Sequence, residues 1–239
     1  MKRYRHYIFD FYGTLADIRT DETQKKLWEK MARWYGLHGA AYKAKELQNA
    51  YLAFCSDEQA NSPDPLFEIE LRRVFARLYA EKGCRPEESL TEETAVFFRR
   101  CSTEKLELYP WTRPLLLRLR AAGAGIYLLS NAQACFTEYE LKKLGIDRSF
   151  DGIVLSSDAG VRKPSPAIME QLLKTYGLKP QDCLMTGNDR TTDIAVAAAF
   201  DMDSLYLETA TSRKDLRFPR AVCEMTEREA ADLPSRLGF

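Results

Sequence analysis

Four groups of polar residues fall where apolar runs stop. Asp10, Tyr12, Gly13 and Thr14 lie in "YIFDFYGTLAD", and Ser130 and Asn131 follow "GIYLL". Lys163 lies in "VRKPSP", and Asn188, Asp189 and Asp193 lie in "TGNDRTTD". One such group means little, because an aspartate after a strand is most often a helix cap or a turn residue. Together they describe one piece of chemistry. A carboxylate attacks phosphorus and forms an aspartyl-phosphate that water later hydrolyses. Nucleophile and phosphate ester repel each other, so positive charge has to be supplied. Asp10, Asp189 and Asp193 offer hard oxygen ligands of the kind Mg²⁺ takes, an ion that keeps several waters and also accepts substrate phosphate. Lys163 adds a point charge beside the equatorial oxygens. Ser130 and the backbone N–H groups of residues 11–13 and 131 offer hydrogen bonds to the same oxygens. Gly13 allows close backbone approach and an unusual φ, and Thr14 can hold the Asp10 carboxylate for attack. Each residue also has a bland role open to it: Ser130 as a cap for the helix near Gln133, Lys163 as a loop lysine, Asp193 as a first-turn acid favoured by the helix dipole. All four groups at successive strand ends, in one order, favour a shared site.

Such a site needs a sheet to hold it. The second half of the chain alternates strands and helices. "GIYLLS" (125–130), "GIVLSS" (152–157), "DCLMTG" (182–187) and "DSLYL" read as strands. "CFTEYELKKLG", "SPAIMEQLLKTYGL" and "TTDIAVAAAFD" read as helices, the second opened by Ser165 and Pro166. "YRHYIFD" joins the same sheet. Nearly continuous apolar strands separated by helices imply a parallel sheet covered on both faces, and ligands of such sheets bind beyond the carboxyl ends of the strands. From residue 18 to 108 no strand is evident. Leu27, Met31, Trp34 and Tyr35 recur at helical spacing, as do Phe67, Leu71, Val74, Phe75 and Leu78. About ninety helical residues form a unit and not a loop. The expected fold is therefore α/β: a Rossmann-like, doubly wound parallel sheet core (1–16 and 109–239) with an inserted α-helical cap domain (17–108). Trp28, Trp34, Tyr42, Tyr51 and Phe54 are expected to hold that cap together in preference to lining the site. Beyond residue 208 the chain offers one weak strand, "RAVCEM", and an acidic, helix-like end.

The bulk numbers narrow the class. Among 239 residues, Lys plus Arg balance Asp plus Glu at 35 each, so no broad field favours nucleic acid or an anionic membrane. The most basic stretch, "SRKDLRFPR" (212–220), reads as solvated surface. The six cysteines show no CxxC pair and read as reduced thiols. No signal-peptide core is evident, and no apolar run approaches the ~20 residues of a membrane helix. A cytoplasmic protein acting on a small molecule is expected, without nucleic acid or membrane as partner.

These motifs resemble those of the haloacid dehalogenase superfamily, a large group of mostly phosphatases. "DFYGTL", "LLSNA", Lys163 of "VRKPSP" and "TGNDRTTD" are similar to its first to fourth motifs, and the likeness spans about residues 5 to 207. The resemblance implies Asp10 as nucleophile, Ser130 and Lys163 as phosphate binders, and a small phosphorylated metabolite as substrate. It implies Mg²⁺ held by Asp10, the Tyr12 carbonyl and a choice among Asn188, Asp189 and Asp193. The insertion resembles the helical cap of the superfamily's first cap class. The departure is Tyr12. The phosphatases carry there a second aspartate that protonates the leaving oxygen and then deprotonates water, catalysis worth about 10²–10⁴-fold. A tyrosine hydroxyl, pKa about 10, is a poor base at neutral pH. Asp-x-Tyr-Gly-Thr-Leu is also the first motif of the superfamily's 2-haloacid dehalogenases, where the aspartate displaces halide from carbon without metal and a cap arginine cradles the halide. Arg19 and Arg33 are candidates for that cradle by composition only. Asp189 and Asp193, four apart, favour Mg²⁺-dependent phosphoryl chemistry. A third reading, a degenerate member that binds a phosphorylated ligand and turns over slowly, is favoured by Tyr12 and opposed by the presence of a nucleophile.

Overall fold

"HYIF" is four residues long and almost wholly apolar, which suits a strand buried on both faces. In the computed structural model, which describes residues 3–212, 221–230 and 232–237, it forms β1 (His6–Phe9) at the middle of a six-stranded sheet. The chain then runs through β2 (Ala16–Thr20), α1 (Lys25–Leu37), α2 (Ala44–Ala60), α3 (Leu71–Glu81), α4 (Glu88–Ser102) and β3 (Thr103–Leu108). It returns to the sheet with α5 (Thr112–Ala121), β4 (Gly125–Ser130), α6 (Ala134–Leu144), β5 (Gly152–Leu155), α7 (Ser156–Ala159) and α8 (Pro166–Tyr176). There follow β6 (Cys183–Gly187), a π-helical turn (Arg190–Ile194), α9 (Ala195–Ala198), β7 (Asp203–Glu208), β8 (Cys223–Thr226), α10 (Glu227–Ala230) and α11 (Leu233–Arg236). The strand order is β5-β4-β1-β6-β7-β8 and every pairing is parallel.

Alternation along the strands feeds two cores. Tyr7, Phe9, Ile126, Leu128 and Leu184 pack with Leu115 and Leu119 of α5 on one face. Ile8, Tyr127, Leu129 and Met185 pack with Ile168 and Leu172 of α8 on the other. This is the doubly wound arrangement expected from the sequence. The Cys223–Met225 part of "RAVCEM" opens the edge strand β8, and of the basic stretch 212–220 all but Ser212 lies outside the described residues. Among the described residues no helix is long and apolar enough to cross a membrane.

The insert has a core of its own. Phe98 of α4 lies against Trp28, Tyr51 and Phe75, with ring centroids 5.3–5.7 Å apart. Phe136 of α6, from the sheet domain, stacks on Phe98 at 6.0 Å and joins this cluster. Trp34 stacks on Phe97 at 4.5 Å, Tyr42 donates to the Leu78 carbonyl at 2.6 Å, and Phe54 lies under the Arg77 guanidinium. All five singled-out aromatics thus hold the insert together.

The region read as strandless contains two strands. β2 and β3 form an antiparallel ribbon, from Ala16↔Leu108 to Thr20↔Thr103. "ADIRT" and "TEKLEL" are too charged to read as strands alone. They pair across more than eighty residues and are tied by Asp17–Lys105 and Arg19–Glu104 ion pairs at 2.5 and 2.6 Å. "GIVLSS" also ends early, at Leu155. The Ser156 and Ser157 hydroxyls turn away to accept the Ala132 and Ala134 N–H groups at 2.8 and 2.9 Å, a competition with strand pairing usual for serine.

Phe98→Ala is expected to cost about 3–5 kcal/mol, the range for truncating a fully buried phenylalanine. Urea denaturation measures it; a loss under about 1 kcal/mol would show that the aromatic cluster does not carry the insert.

Candidate active site

β4, β1 and β6 are neighbours, so their carboxyl ends deliver Ser130, Asp10 and the Asn188–Asp193 turn to one place. Asp10 follows β1 directly, its N–H bound to the Thr186 carbonyl at 2.9 Å. The loop after α7 brings in Lys163. Its ammonium is fully buried and donates to Asp10 Oδ1 (2.8 Å), Asp193 Oδ1 (2.6 Å) and the Leu129 carbonyl (2.7 Å). Ser130 Oγ donates to the same Asp10 oxygen at 2.9 Å. The Asn131 amide holds Lys163 from behind: its Oδ1 accepts the Lys163 N–H at 2.7 Å and its Nδ2 donates to the Lys163 carbonyl at 3.0 Å. Asn131 therefore positions the lysine with its side chain.

Burial works against the Lys163 charge, but Asp10 and Asp193 outweigh it and hold its pKa above the ordinary lysine value. Burial pushes the Asp193 carboxyl above the usual carboxylate range, with Lys163 pulling the other way and Asp10 adding to the rise. One lysine between two aspartates leaves a net negative charge in a dry place, and Asp189 adds to it.

Asp193 reaches back over the strand end because Gly187 has no side chain; a Cβ there would meet the Asp193 carboxyl at 2.2 Å. The π-helical turn tightens the arrangement. Asp193 Oδ2 accepts the Asp189 N–H at 3.0 Å, while Asp189 Oδ1 accepts the Thr191 N–H and hydroxyl at 2.8 and 2.6 Å. Thr14 Oγ1 is shared between Asp10 Oδ2 (3.5 Å) and Asn188 Oδ1 (3.3 Å), both long. Gly13 has φ +83°, and a Cβ there would lie 2.4 Å from Asn188 Nδ2 and Thr211 Oγ1. Thr211 accepts from Asn188 Nδ2 at 2.9 Å, and Thr209 donates to the Gly13 carbonyl at 2.8 Å. Neither threonine was found from sequence, because "ETATS" follows β7 with no motif to mark it.

Tyr12 turns its hydroxyl toward α6. It donates to Glu140 Oε2 and lies 3.0 Å from Thr137 Oγ1. Glu140 Oε1 in turn accepts from Arg99 Nε of α4 at 2.7 Å, and the guanidinium lies 5.5 Å from the Tyr12 ring and 5.1 Å from the Phe136 ring. Burial, and then the Glu140 charge, push the Tyr12 hydroxyl well above the ordinary phenol pKa, with Arg99 pulling back. Its proton is committed to Glu140. Sequence reading missed Arg99, Thr137 and Glu140. Thr137 carries no signal in the sequence, and the charges of Arg99 and Glu140 are notable only once both are seen to be buried on their helices.

A cavity of about 700 Å³ opens over this cluster. Asp10, Tyr12, Ser130, Asn131, Lys163, Asn188, Asp189 and Asp193 all line it; Gly13 and Thr14 do not. The insert contributes Pro65, Leu66 and Glu68, from the link between α2 and α3. That link is bound to the sheet domain by Arg162 N–H to the Leu66 carbonyl (2.9 Å), Glu68 N–H to the Gly160 carbonyl (3.1 Å) and Gln133 Nε2 to the Ile69 carbonyl (2.8 Å). Arg19 pairs with Glu104 away from the cavity and Arg33 is exposed on α1, so neither lines it.

A haloacid dehalogenase-like hydrolase family matches residues 4–201. A glyceraldehyde 3-phosphate phosphatase from Methanopyrus kandleri is 29% identical over 128 residues, 54% of this chain and 52% of that protein. A phosphoserine phosphatase from Thermus thermophilus is 25% identical over 143 residues, 60% of this chain and 56% of that protein. The chain thus spans about half the length of both relatives. Among solved structures, a 2-haloacid dehalogenase from Pseudomonas syringae pv. Tomato superposes with a TM-score of 0.65 at 19% identity, covering 98% of each chain, a likeness of fold alone. With a matching family over most of its length and that family's fold, the chain belongs to the haloacid dehalogenase-like hydrolases.

Proposed function

We propose that the protein is a Mg²⁺-dependent phosphatase of a small phosphorylated metabolite, with Asp10 as nucleophile and the insert as a helical cap over the site. The observation that carries this reading is the buried Lys163 ammonium, set on Asp10 and Asp193 at 2.8 and 2.6 Å. It supplies positive charge where the equatorial oxygens of a phosphoryl group would meet the nucleophile.

The residues present fit the metal. Among the described residues no group of three or more His, Cys, Asp or Glu is arranged to hold a metal ion by itself. Mg²⁺ does not need one, since it is usually held by one or two carboxylates with waters and substrate phosphate. Asp10 and Asp193 supply the carboxylates, the Tyr12 carbonyl, Asn188 and Asp189 are the further candidates, and the cluster's net negative charge suits a divalent cation. Bound there, the ion would offset charge on the phosphoryl oxygens. Asp10 attacks phosphorus and the P–O bond to the leaving group breaks, giving an aspartyl-phosphate. Ser130 and Lys163 bind the phosphoryl oxygens through the transfer, and Asn131 keeps Lys163 in register. Water then hydrolyses the acyl phosphate and returns Asp10.

Residue 12 supplies no proton, because the Tyr12 hydroxyl is engaged with Glu140. Esters whose leaving groups need little acid help (acyl, enol or aryl phosphates) are therefore the preferred substrates. The relatives' phosphatase names and the absence of Arg19 and Arg33 from the cavity both weigh against dehalogenation.

p-Nitrophenyl phosphate is expected to be hydrolysed with Mg²⁺ and not with EDTA, read by phosphate release; equal rates in both conditions would remove the metal from the reading. Asp10→Asn should lower kcat by at least about 10³-fold while phosphate binding by calorimetry survives. Undiminished turnover would place the nucleophile elsewhere. Tyr12→Asp should raise kcat/KM for ethyl phosphate relative to p-nitrophenyl phosphate by about 10²-fold, the worth of general acid–base catalysis. An unchanged ratio would sink the account of residue 12.

A further inference from the structure

Lys163, the phosphate end of the cavity, is already countered by two carboxylates. The residue before it is not. Arg162 lines the same cavity, half-buried, with its main-chain N–H on the Leu66 carbonyl at 2.9 Å. Its Nη2 donates to the Pro65 carbonyl at 2.8 Å, which places the guanidinium against the wall built by the insert.

The other described arginines that are at least partly buried all reach a carboxylate. Arg72 reaches Glu70, Arg77 reaches Asp57, Arg99 reaches Glu140 and Arg190 reaches Glu224. Arg162 has no carboxylate within ion-pair distance among the described residues. Glu68, the insert's acid in the same lining, is not its partner, being taken up by Ser156 Oγ at 2.9 Å and Gln133 Nε2 at 3.3 Å. A guanidinium presents five donors in a planar fork, and one neutral carbonyl leaves most of that capacity unused. Its hydrogen bond to Pro65 is itself open to solvent, so the remaining donors of this uncountered charge are accessible to an anion from outside.

Resting on the phosphatase reading, we propose that Arg162 is a specificity-determining residue that binds a carboxylate on the phosphorylated substrate. The fork matches a carboxylate in two parallel hydrogen bonds. A second phosphate fits less well. The lining already carries Asp10, Glu68, Asp189 and Asp193 against Lys163 and Arg162, so a further dianion meets more repulsion than a monoanion. Because Arg162 adjoins Lys163 in the chain, the two anionic groups of the substrate are read by one loop. The substrate class is a small carboxylic acid phosphorylated through a good leaving group.

The test compares 3-carboxyphenyl phosphate with phenyl phosphate, matched in ring and leaving group, in the full-length protein with Mg²⁺. The wild type is expected to favour the carboxylated ester by about tenfold or more in kcat/KM, mostly through KM, the scale of a charge-assisted hydrogen bond. Arg162→Gln should bring the ratio close to one, and Arg162→Lys should restore part of it. An equal loss on both esters would show that Arg162 only secures the Pro65–Leu66 link and would overturn the inference. So would a wild type that hydrolyses both esters without preference. A wild type that hydrolyses neither ester, nor p-nitrophenyl phosphate, would overturn the phosphatase reading itself, and this inference with it.

Discussion

Everything at this site turns on one buried ammonium between two carboxylates. Lys163 cannot sit at the end of β1 unless Asp10 and Asp193 are both there to offset its desolvation, and those aspartates would repel each other without it. The sheet supplies the meeting point: β4, β1 and β6 are neighbours in a parallel array, so their carboxyl ends lie side by side. The same lysine orders its surroundings. Ser130 shares its Asp10 oxygen, the Leu129 carbonyl takes its third proton, and the Asn131 amide grips its main chain. The small residue at Gly187 and the π-helical turn are the local adjustments that bring Asp193 back over the strand.

A second charged cluster serves a different end. Arg99, Glu140 and the Tyr12 hydroxyl join α4 of the insert to α6 of the sheet domain and to the loop that follows Asp10. Where a phosphatase aspartate would face the leaving group, this chain spends the side chain on a seam between two units. The seam is buried and its ion pair hydrogen-bonded, the condition under which such a pair is tolerated at all.

How much of this the sequence disclosed follows from where the information sits. Asp10, Ser130, Lys163 and Asp193 were legible because their chemistry is in the side chain and each lies at, or a short way beyond, the end of an apolar run that is itself a strand. The two-faced sheet was legible because strand alternation is local. The β2–β3 ribbon was not, since each strand is charged and becomes a strand only by pairing across the whole insert. Arg162 was read as part of a motif and not as a site residue, because its lack of a counter-charge is a property of its surroundings. The same holds for the engagement of Tyr12 by Glu140, which no spacing along the chain encodes.

The central place of β1 also bears on how the molecule is made. Its two neighbours in the sheet arrive with Gly125 and Cys183, the register partners of His6. Until those segments are in place this apolar strand has both edges unpaired. The helices of the insert, by contrast, close mostly short contacts among themselves. Both pairings of β1 close long loops, whose entropy has to be met before the strand contacts repay it. A chain caught with those two edges open is exposed to edge-to-edge aggregation.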